Sequence, residues 1–397
     1  TGNVDVDGTT ETDALTINGS ALKYKAFGTS SIMFGDDSTG TIDAANYNTG
    51  VGVDVFAALT TGDGNTVMGF SAANDLTTGQ RNVVIGYQAF DEATSGSDSV
   101  AVGYSAGHSV TSGIENTFLG YYAGSETTTA NYNVAVGSSA LEQNTTGAAN
   151  IAIGRAALDA NTTGDYNTAI GYVALSAATT ADGNTALGAS SLENTTTGAD
   201  NVAVGRAALY ANTTGLNNTA VGKSALQANT TGDTNVAVGK DSMLANTTGT
   251  NNTALGNRTL QANTTAANNT AVGDLALSTN TTGTQNVAVG NGSLKLNTTA
   301  NNNTALGYLS LTANTTGTPN TAFGKSALAA NTTGAYNVAL GYLALAANTT
   351  ASQNTAVGGV ALDACTTGGN NTAVGTSTLG ATTTGDNNTA VGTNALG

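Results

Sequence analysis

The sequence predicts an all-β protein, specifically a parallel β-solenoid or β-roll built from 17-residue coils. Three observations carry this prediction. A short phrase recurs at a fixed interval, its first half alternates in the manner of a β-strand, and its second half ends in turn residues. A repeat that keeps its phase over a whole chain indicates that every unit follows the same backbone path and packs mainly against its neighbours.

The period is visible in three consecutive stretches, NTTGLNNTAVGKSAL from Asn212, NTTGDTNVAVGKDSM from Asn229 and NTTGTNNTALGNRTL from Asn246. With the Asn of NTAVG called position 1, position 5 is Gly at every 17th residue from Gly35 to Gly392, 22 times in all. The idealised unit reads N-[T/V]-A-[V/I/L]-G-x-x-A-L-x-A-N-T-T-G-x-x. Because one inserted residue would break the register with both neighbouring coils, the strict spacing predicts a regular stack.

Positions 2 to 4 form the predicted strand of each coil. β-Branched or apolar residues at positions 2 and 4 alternate with Ala at position 3, and a period of two residues is typical of a strand. The Gly at position 5 ends the strand. It meets either of two needs, a positive φ or the close approach of another backbone.

The second half of the unit, A-L-x-A, places the largest regular apolar side chain at position 9, for example Leu209, Leu226 and Leu260. We interpret it as a second short strand, with one helical turn as the alternative. The N-T-T-G-x-x tail has turn chemistry, because Asn and Thr side chains bond to nearby backbone and Gly supplies a left-handed position.

Stacking such coils places identical positions above one another. Positions 1 and 12 become columns of Asn whose amides hydrogen bond along the stack, while Val and Leu columns are expected to form a continuous core. Parallel strands lie about 4.8 Å apart, so 22 coils predict a rod of roughly 105 Å.

The column at position 3 admits two interpretations. From Ala135 to Ala390 it is Ala in 16 consecutive units, whereas upstream it holds Gly50, Val67, Val84, Ala101 and Phe118. Either the Ala column is the tight inside of a single-chain roll, or it faces the same column of two partner chains around a threefold axis. We favour the second interpretation and a homotrimer, since a 17-residue coil has little interior of its own. The wider upstream side chains would then mark a thicker or looser section.

The same count divides the chain into three sections. Residues 1–30 are an N-terminal connector segment without the repeat, residues 31–132 carry a degenerate form of it, and residues 133–397 carry the regular form.

Composition excludes several classes of function. The chain has 26 acidic and 10 basic residues, a formal net charge of −16, and no basic stripe along the sequence, so nucleic acid is not an expected partner. The apolar runs are too short for membrane insertion, which needs about 20 residues. Aromatic residues are only 5% and Trp is absent, so no thick aromatic core is expected. A single cysteine cannot form a disulfide within the chain.

The sequence offers no catalytic residues, cofactor site or metal site, and its ligand-binding residues stay undefined. Cys365 and the single histidine, His108, are about fifteen coils apart, so they cannot act together in one rod. Cys365 occupies position 12, where Asn is usual, and is interpreted as a turn residue. His108 occupies the variable position 10 and is expected on the surface. Acidic residues 36, 37 and 43 suggest either an isolated divalent ion or, preferably, a solvated loop.

Two side-chain types that recur in successive coils, Thr and Tyr, suggest binding surfaces. The Thr-Thr pair of each coil would give an array of hydroxyls, as on ice-binding solenoids, but these Thr lie in a turn rather than alternating along a strand. In several coils a Tyr follows the Gly at position 5, which suggests contact with a glycan. Because these Tyr are scattered along the chain, we prefer the interpretation that position 6 is simply an exposed turn position. They are Tyr87, Tyr104, Tyr121, Tyr172, Tyr308 and Tyr342.

At NTAVG and NVAVG the sequence is similar to the Asn/Ser-x-Ala-Ile/Val-Gly words in the heads of trimeric autotransporter adhesins, which are trimers of parallel β-rolls. It resembles more closely the NTAVGxxAL and NTTG repeats of phage tail and virion fibre proteins, especially cyanophage-like ones, and the segment GNVDVDGTTETDALTINGSAL at residues 2–22 resembles connectors in phage fibres. The adhesin-head repeat is shorter than 17 residues, so its packing need not carry over.

The resemblance implies an extended homotrimeric fibre located on a virion. Its expected function is that of a structural shaft in host attachment, without catalysis, joined to other virion or tail proteins at one end and in contact with a host glycan or protein. The first alternative is a bacterial surface adhesin stalk or head, which would be extracellular. The second alternative is an ice-binding β-solenoid.

Overall fold

A computed structural model describes residues 16–17, 20–21, 24–27, 30–35 and 44–397. The chain forms two compact units, Thr1–Asp165 and Tyr166–Gly397, called here the N-terminal and C-terminal units. Within the described ranges, both units consist of strands and turns, and no helix capable of crossing a membrane occurs there.

Most strands are three residues long and occupy positions 2 to 4 of successive coils. Two antiparallel pairs come first, β1 with β2 and β3 with β4, and from β4 onward the strands within each unit pair in parallel. The strands of the N-terminal unit are β1 Thr16–Ile17, β2 Ser20–Ala21, β3 Tyr24–Phe27, β4 Ser31–Gly35, β5 Thr49–Gly52, β6 Thr66–Met68, β7 Val83–Ile85, β8 Val100–Val102, β9 Thr117–Leu119, β10 Val134–Val136 and β11 Ile151–Ile153. Those of the C-terminal unit are β12 Thr168–Ile170, β13 Thr185–Leu187, β14 Val202–Val204, β15 Thr219–Val221, β16 Val236–Val238, β17 Thr253–Leu255, β18 Thr270–Val272, β19 Val287–Val289, β20 Thr304–Leu306, β21 Asn320–Phe323, β22 Asn337–Leu340, β23 Thr355–Val357, β24 Thr372–Val374 and β25 Thr389–Val391.

The register between strands follows the sequence period. Each residue pairs with the residue 17 positions later, as Ala220 does with Ala237. The predicted all-β parallel solenoid of 17-residue coils is therefore confirmed. At about 4.8 Å per step, strands β4 to β11 extend over roughly 34 Å and strands β12 to β25 over roughly 62 Å.

The second half of each coil is neither a strand nor a helical turn, so both interpretations of A-L-x-A are wrong. Positions 7 and 9 adopt left-handed conformations, with φ of +56° at Ser224 and +51° at Leu226. A strand would send Ala225 and Leu226 to opposite faces, whereas this path buries both side chains. The backbone is still paired between coils, because Leu226 N–H donates to Ser242 C=O at 3.0 Å.

The interior of the coil is formed by positions 1, 3, 8, 9 and 12. In the C-terminal unit Ala220 and Leu226 are fully buried within one chain, as is Asn218. The placement of the Ala column on a threefold axis is therefore wrong: a narrow coil already filled by Leu at position 9 has room opposite for only a methyl group. The prediction that the Val column lies in the core is also wrong, because the side chains at positions 2 and 4 point outward.

The wide side chains upstream do not loosen the coil. Phe118 takes position 3 where Ala is usual, and position 9 holds Gly in place of Leu both in the preceding coil, at Gly107, and in the same coil, at Gly124. A Cβ atom at Gly107 would lie 2.7 Å from the Phe118 ring, and one at Gly124 would lie 2.3 Å from it. Large and small residues thus exchange places across the interior, and the packed volume is conserved.

The two glycines of each coil, at positions 5 and 15, are required for different structural reasons. At position 5, Gly222 has φ of +134° and its missing Cβ would lie 2.6 Å from the carbonyl oxygen of Gly239, so conformation and close approach both apply. At position 15, Gly232 has no left-handed φ, which corrects the sequence interpretation; a Cβ there would lie 2.4 Å from Gly249 O. The left-handed residue of this turn is instead at position 17, for example Asn217.

The two predicted Asn ladders are confirmed. At position 1, Asn218 Oδ1 accepts the backbone N–H of Asn235 at 3.0 Å, and Asn218 Nδ2 donates to Gly232 O at 2.8 Å. At position 12, Asn229 Nδ2 donates to Asn212 Oδ1 at 3.0 Å and to the same Gly232 oxygen at 3.0 Å. Both ladders therefore meet at the position 15 carbonyl, which satisfies buried polar groups that a coil this thin cannot expose to water.

Candidate functional surfaces

Side chains at positions 2 and 4 form what we call the outer strand face. Position 2 is Thr, Val or Ile and position 4 is Val, Leu, Ile, Met or Phe in every described coil, so this face carries no charge. Its larger members are well exposed, with Val238 at 36% and Leu340 at 44%. Single exposed apolar residues are ordinary on proteins, but a continuous uncharged column is typical of an interaction surface.

Four cations occupy consecutive coils beside this face. Arg206, Lys223 and Lys240 lie at position 6 and Arg258 at position 7 of the next coil, and all four are exposed. We call them the basic strip. Lys240 Nζ lies 3.7 Å from Asp241 Oδ2, and within the described residues no carboxylate lies within ion-pair distance of the other three. Four of the chain's ten basic residues therefore lie together, although the whole chain is acidic.

An aromatic ladder follows the same position 6 column in the N-terminal unit. Phe70, Tyr87, Tyr104 and Tyr121 stack with ring centroids 5.1–5.3 Å apart, and Tyr122 lies edge-on against Tyr121 at 4.5 Å. The description of these Tyr as scattered is therefore wrong. Because each ring covers the face of the next, the inner rings offer only their edges and hydroxyls to solvent, which disfavours stacking of a sugar on them.

In the C-terminal unit Tyr308 and Tyr342 behave differently. Lys325 Nζ lies 6.0 Å from the Tyr308 ring centroid and 5.8 Å from that of Tyr342, so one cation lies between two rings of the same column. Such cation–π contacts occupy the ring faces and stabilise neighbouring coils.

The single histidine is half-buried rather than fully on the surface, with its side chain 27% exposed. His108 Nε2 lies 3.7 Å from Asp91 Oδ2, and its Nδ1 lies 3.9 Å from Glu92 Oε1. Asp91 Oδ1 is buried without a hydrogen-bond partner, and burial raises the pKa of this carboxyl group. No group of metal-ligating side chains occurs within the described ranges, and residues 36, 37 and 43 lie outside them.

Cys365 takes the place of an Asn in the position 12 ladder, as its position predicted. Its thiol donates to Gly368 O at 3.3 Å, the bond that Asn makes in other coils. The thiol does not replace the second Asn bond, and Asn348 Oδ1 in the preceding coil is buried without a partner. Burial raises the pKa of Cys365, so the thiol stays protonated and does not have the character of a nucleophile.

The Thr-Thr pair of each coil is divided between two roles. The hydroxyl at position 13 donates to the carbonyl of the next coil, as Thr213 Oγ1 does to Thr230 O at 3.1 Å. Of the two, only the Thr at position 14, such as Thr214, is exposed. The hydroxyl array that suggested ice binding is therefore half engaged in holding the coils together.

Sequence reasoning missed both the outer strand face and the basic strip. A column count at positions 2, 4 and 6 would have found their composition, but it does not say which side of the strand faces water. Comparisons with protein-family models, curated protein sequences and solved structures gave no match to this chain.

Proposed function

We propose that this chain is the non-catalytic structural shaft of a phage tail fibre or virion fibre that takes part in host attachment. The observation that carries the proposal is the uninterrupted repetition of one coil within each unit, with the same strand register at each step and, in the C-terminal unit, an Asn at position 1 of every coil. Such a stack resists bending and extends a surface in one direction, which is what a spacer between a virion and a cell requires.

We further propose that the shaft is a homotrimer assembled through the outer strand face, with other virion proteins bound at one end. The Ala column no longer supports a trimer, but the uncharged outer face does. Along strands β12 to β25 it offers on the order of 1,000 Å² per copy, the same order as the roughly 800 Å² per partner of a standard interface, and a trimer divides this area between two neighbours. A strip two columns wide is identical in each copy, so three strips can meet around one threefold axis.

Native mass measurement tests the assembly. The expected species is three times 38.8 kDa, and the double variant Val221→Glu and Val238→Glu should dissociate it because it places buried charges at the axis. The matched control is Thr214→Glu with Thr231→Glu, which adds the same charge at exposed position 14. A single-chain species for the unaltered protein, or equal dissociation of both variants, would contradict the trimer.

Gene neighbourhood and labelling test the fibre role. Baseplate or tail genes beside this gene, and antibody labelling of fibres on the virion, are expected; an adjoining outer-membrane anchor gene would instead support the adhesin stalk. Thermal hysteresis in a freezing assay should be absent, because position 4 varies between Val, Leu and Phe and the outer face does not match a flat lattice.

A further inference from the structure

We propose that the basic strip binds an extended acidic polysaccharide of the uronic acid type. The inference deepens the attachment role and rests on it for its biological setting, although the binding itself does not depend on trimer formation. Its starting point is that four like charges, Arg206, Lys223, Lys240 and Arg258, follow one another at about one per coil, or about 4.8 Å apart.

The fold, rather than side-chain flexibility, keeps these residues adjacent. Ser224 N–H donates to Arg206 O at 3.0 Å, and Arg258 N–H donates to Lys240 O at 2.9 Å, so backbone bonds lock the coils that carry the strip. Like charges above one another repel, and an anion that runs parallel to the column relieves this repulsion. The strip ends at Asp274, whose carboxylate oxygens accept from Asn257 at 2.8 Å and from Asn291 at 3.2 Å.

The surroundings favour a carbohydrate over a nucleic acid. Binding of single-stranded nucleic acid relies on aromatic side chains on which bases stack. Between residues 201 and 268 the only aromatic residue is Tyr210, which lies at position 10, away from the strip.

A linear polyuronate fits this arrangement. One pyranose residue extends a chain by about the rise of one coil, so carboxylates recur along the polymer at a spacing that cations on successive coils match. Lys and Arg then act as exposed charge partners, and the affinity should fall as salt screens them.

The test measures binding of a fluorescein-labelled oligogalacturonate to the full-length protein by anisotropy at several salt concentrations. The double variant Lys223→Gln and Lys240→Gln should weaken binding about fivefold to tenfold and reduce the slope of log affinity against log salt. The charge-matched control is Lys295→Gln with Lys325→Gln, two cations outside the strip, which should change affinity less than about twofold.

Equal weakening by both pairs, absence of binding, or equally tight binding of a labelled oligothymidylate would overturn the proposal. Equal binding of a labelled neutral dextran would also overturn it, because the strip recognises charge. Circular dichroism and native mass are recorded for each variant. Loss of polysaccharide binding with an unchanged assembly supports the strip, whereas a failed trimer with intact binding counts only against the proposed assembly.

Discussion

The Asn ladder at position 1 leads to a testable prediction, and another coil of the same chain suggests the control substitution. Asn218→Ala removes the side-chain oxygen that accepts the backbone N–H of Asn235 at 3.0 Å, and it removes the amide that donates to Gly232 O at 2.8 Å. The carbonyl of Gly232 keeps a second donor from Asn229. The buried backbone N–H of Asn235, by contrast, is left without an acceptor.

The expected loss of local unfolding free energy follows from this difference between the two groups. An orphaned buried donor costs about 1–3 kcal/mol, and the lost bond to Gly232 adds about 1 kcal/mol, so Asn218→Ala should lower the local unfolding free energy by about 2–4 kcal/mol. Serine is the matched control, because Ser99 already occupies position 1 and its Oγ accepts the Asn116 N–H at 3.1 Å. Asn218→Ser should therefore cost only about 1 kcal/mol.

Amide hydrogen exchange is the appropriate assay, since long repeat arrays open in segments rather than as a whole. Exchange at Asn235 should be faster in Asn218→Ala than in Asn218→Ser by roughly 5- to 150-fold, the equivalent of about 1–3 kcal/mol. Equal protection of this amide in the two variants would refute the claim that the side-chain oxygen satisfies it.

Three further outcomes are expected. Gly222→Ala should disrupt the stack by several kcal/mol, because its Cβ would lie 2.6 Å from the next coil's carbonyl oxygen and its φ is +134°, whereas Gly359→Ala, with open space around it, should be neutral in thermal melting. Cys365→Asn should raise the melting temperature by restoring the donor to Asn348 Oδ1, a gain of about 1 kcal/mol, and a lower melting temperature would contradict the ladder. Because burial raises the pKa of Asp91 above its ordinary value, its protonation stabilises the fold as pH falls through the raised pKa toward 3.8. Asp91→Asn should therefore increase the stability measured by denaturant titration at pH 7, and this gain should shrink at low pH.

The sequence by itself determined the period, the strand and the need for Gly at position 5. Phase determines the backbone path, because a residue can stack on its equivalent only if every coil has the same length. The Asn ladders were also predictable, since identical amides above one another can bond only along the stack. The functional role, by contrast, rests on resemblance and stays a prediction.

Only the tertiary structure decided which side of the strand faces inward. Alternation defines two faces, and the usual rule buries the larger apolar one, which here would be Val and Leu. The coil buries Ala instead, because Leu226 and its equivalents at position 9 already fill the narrow interior. The exchange of Phe118 with Gly107 and Gly124 follows from the same limit on volume.

Local conformational preferences also did not predict the backbone path of the second half of each coil. A left-handed Leu costs about 1–2 kcal/mol, so no propensity predicts one in nearly every regular coil. The cost is offset because this path buries both Ala225 and Leu226 and still pairs the backbone with the next coil. The basic strip likewise arises only from stacking, which brings residues 17 or 18 apart in sequence to within one strand spacing of each other.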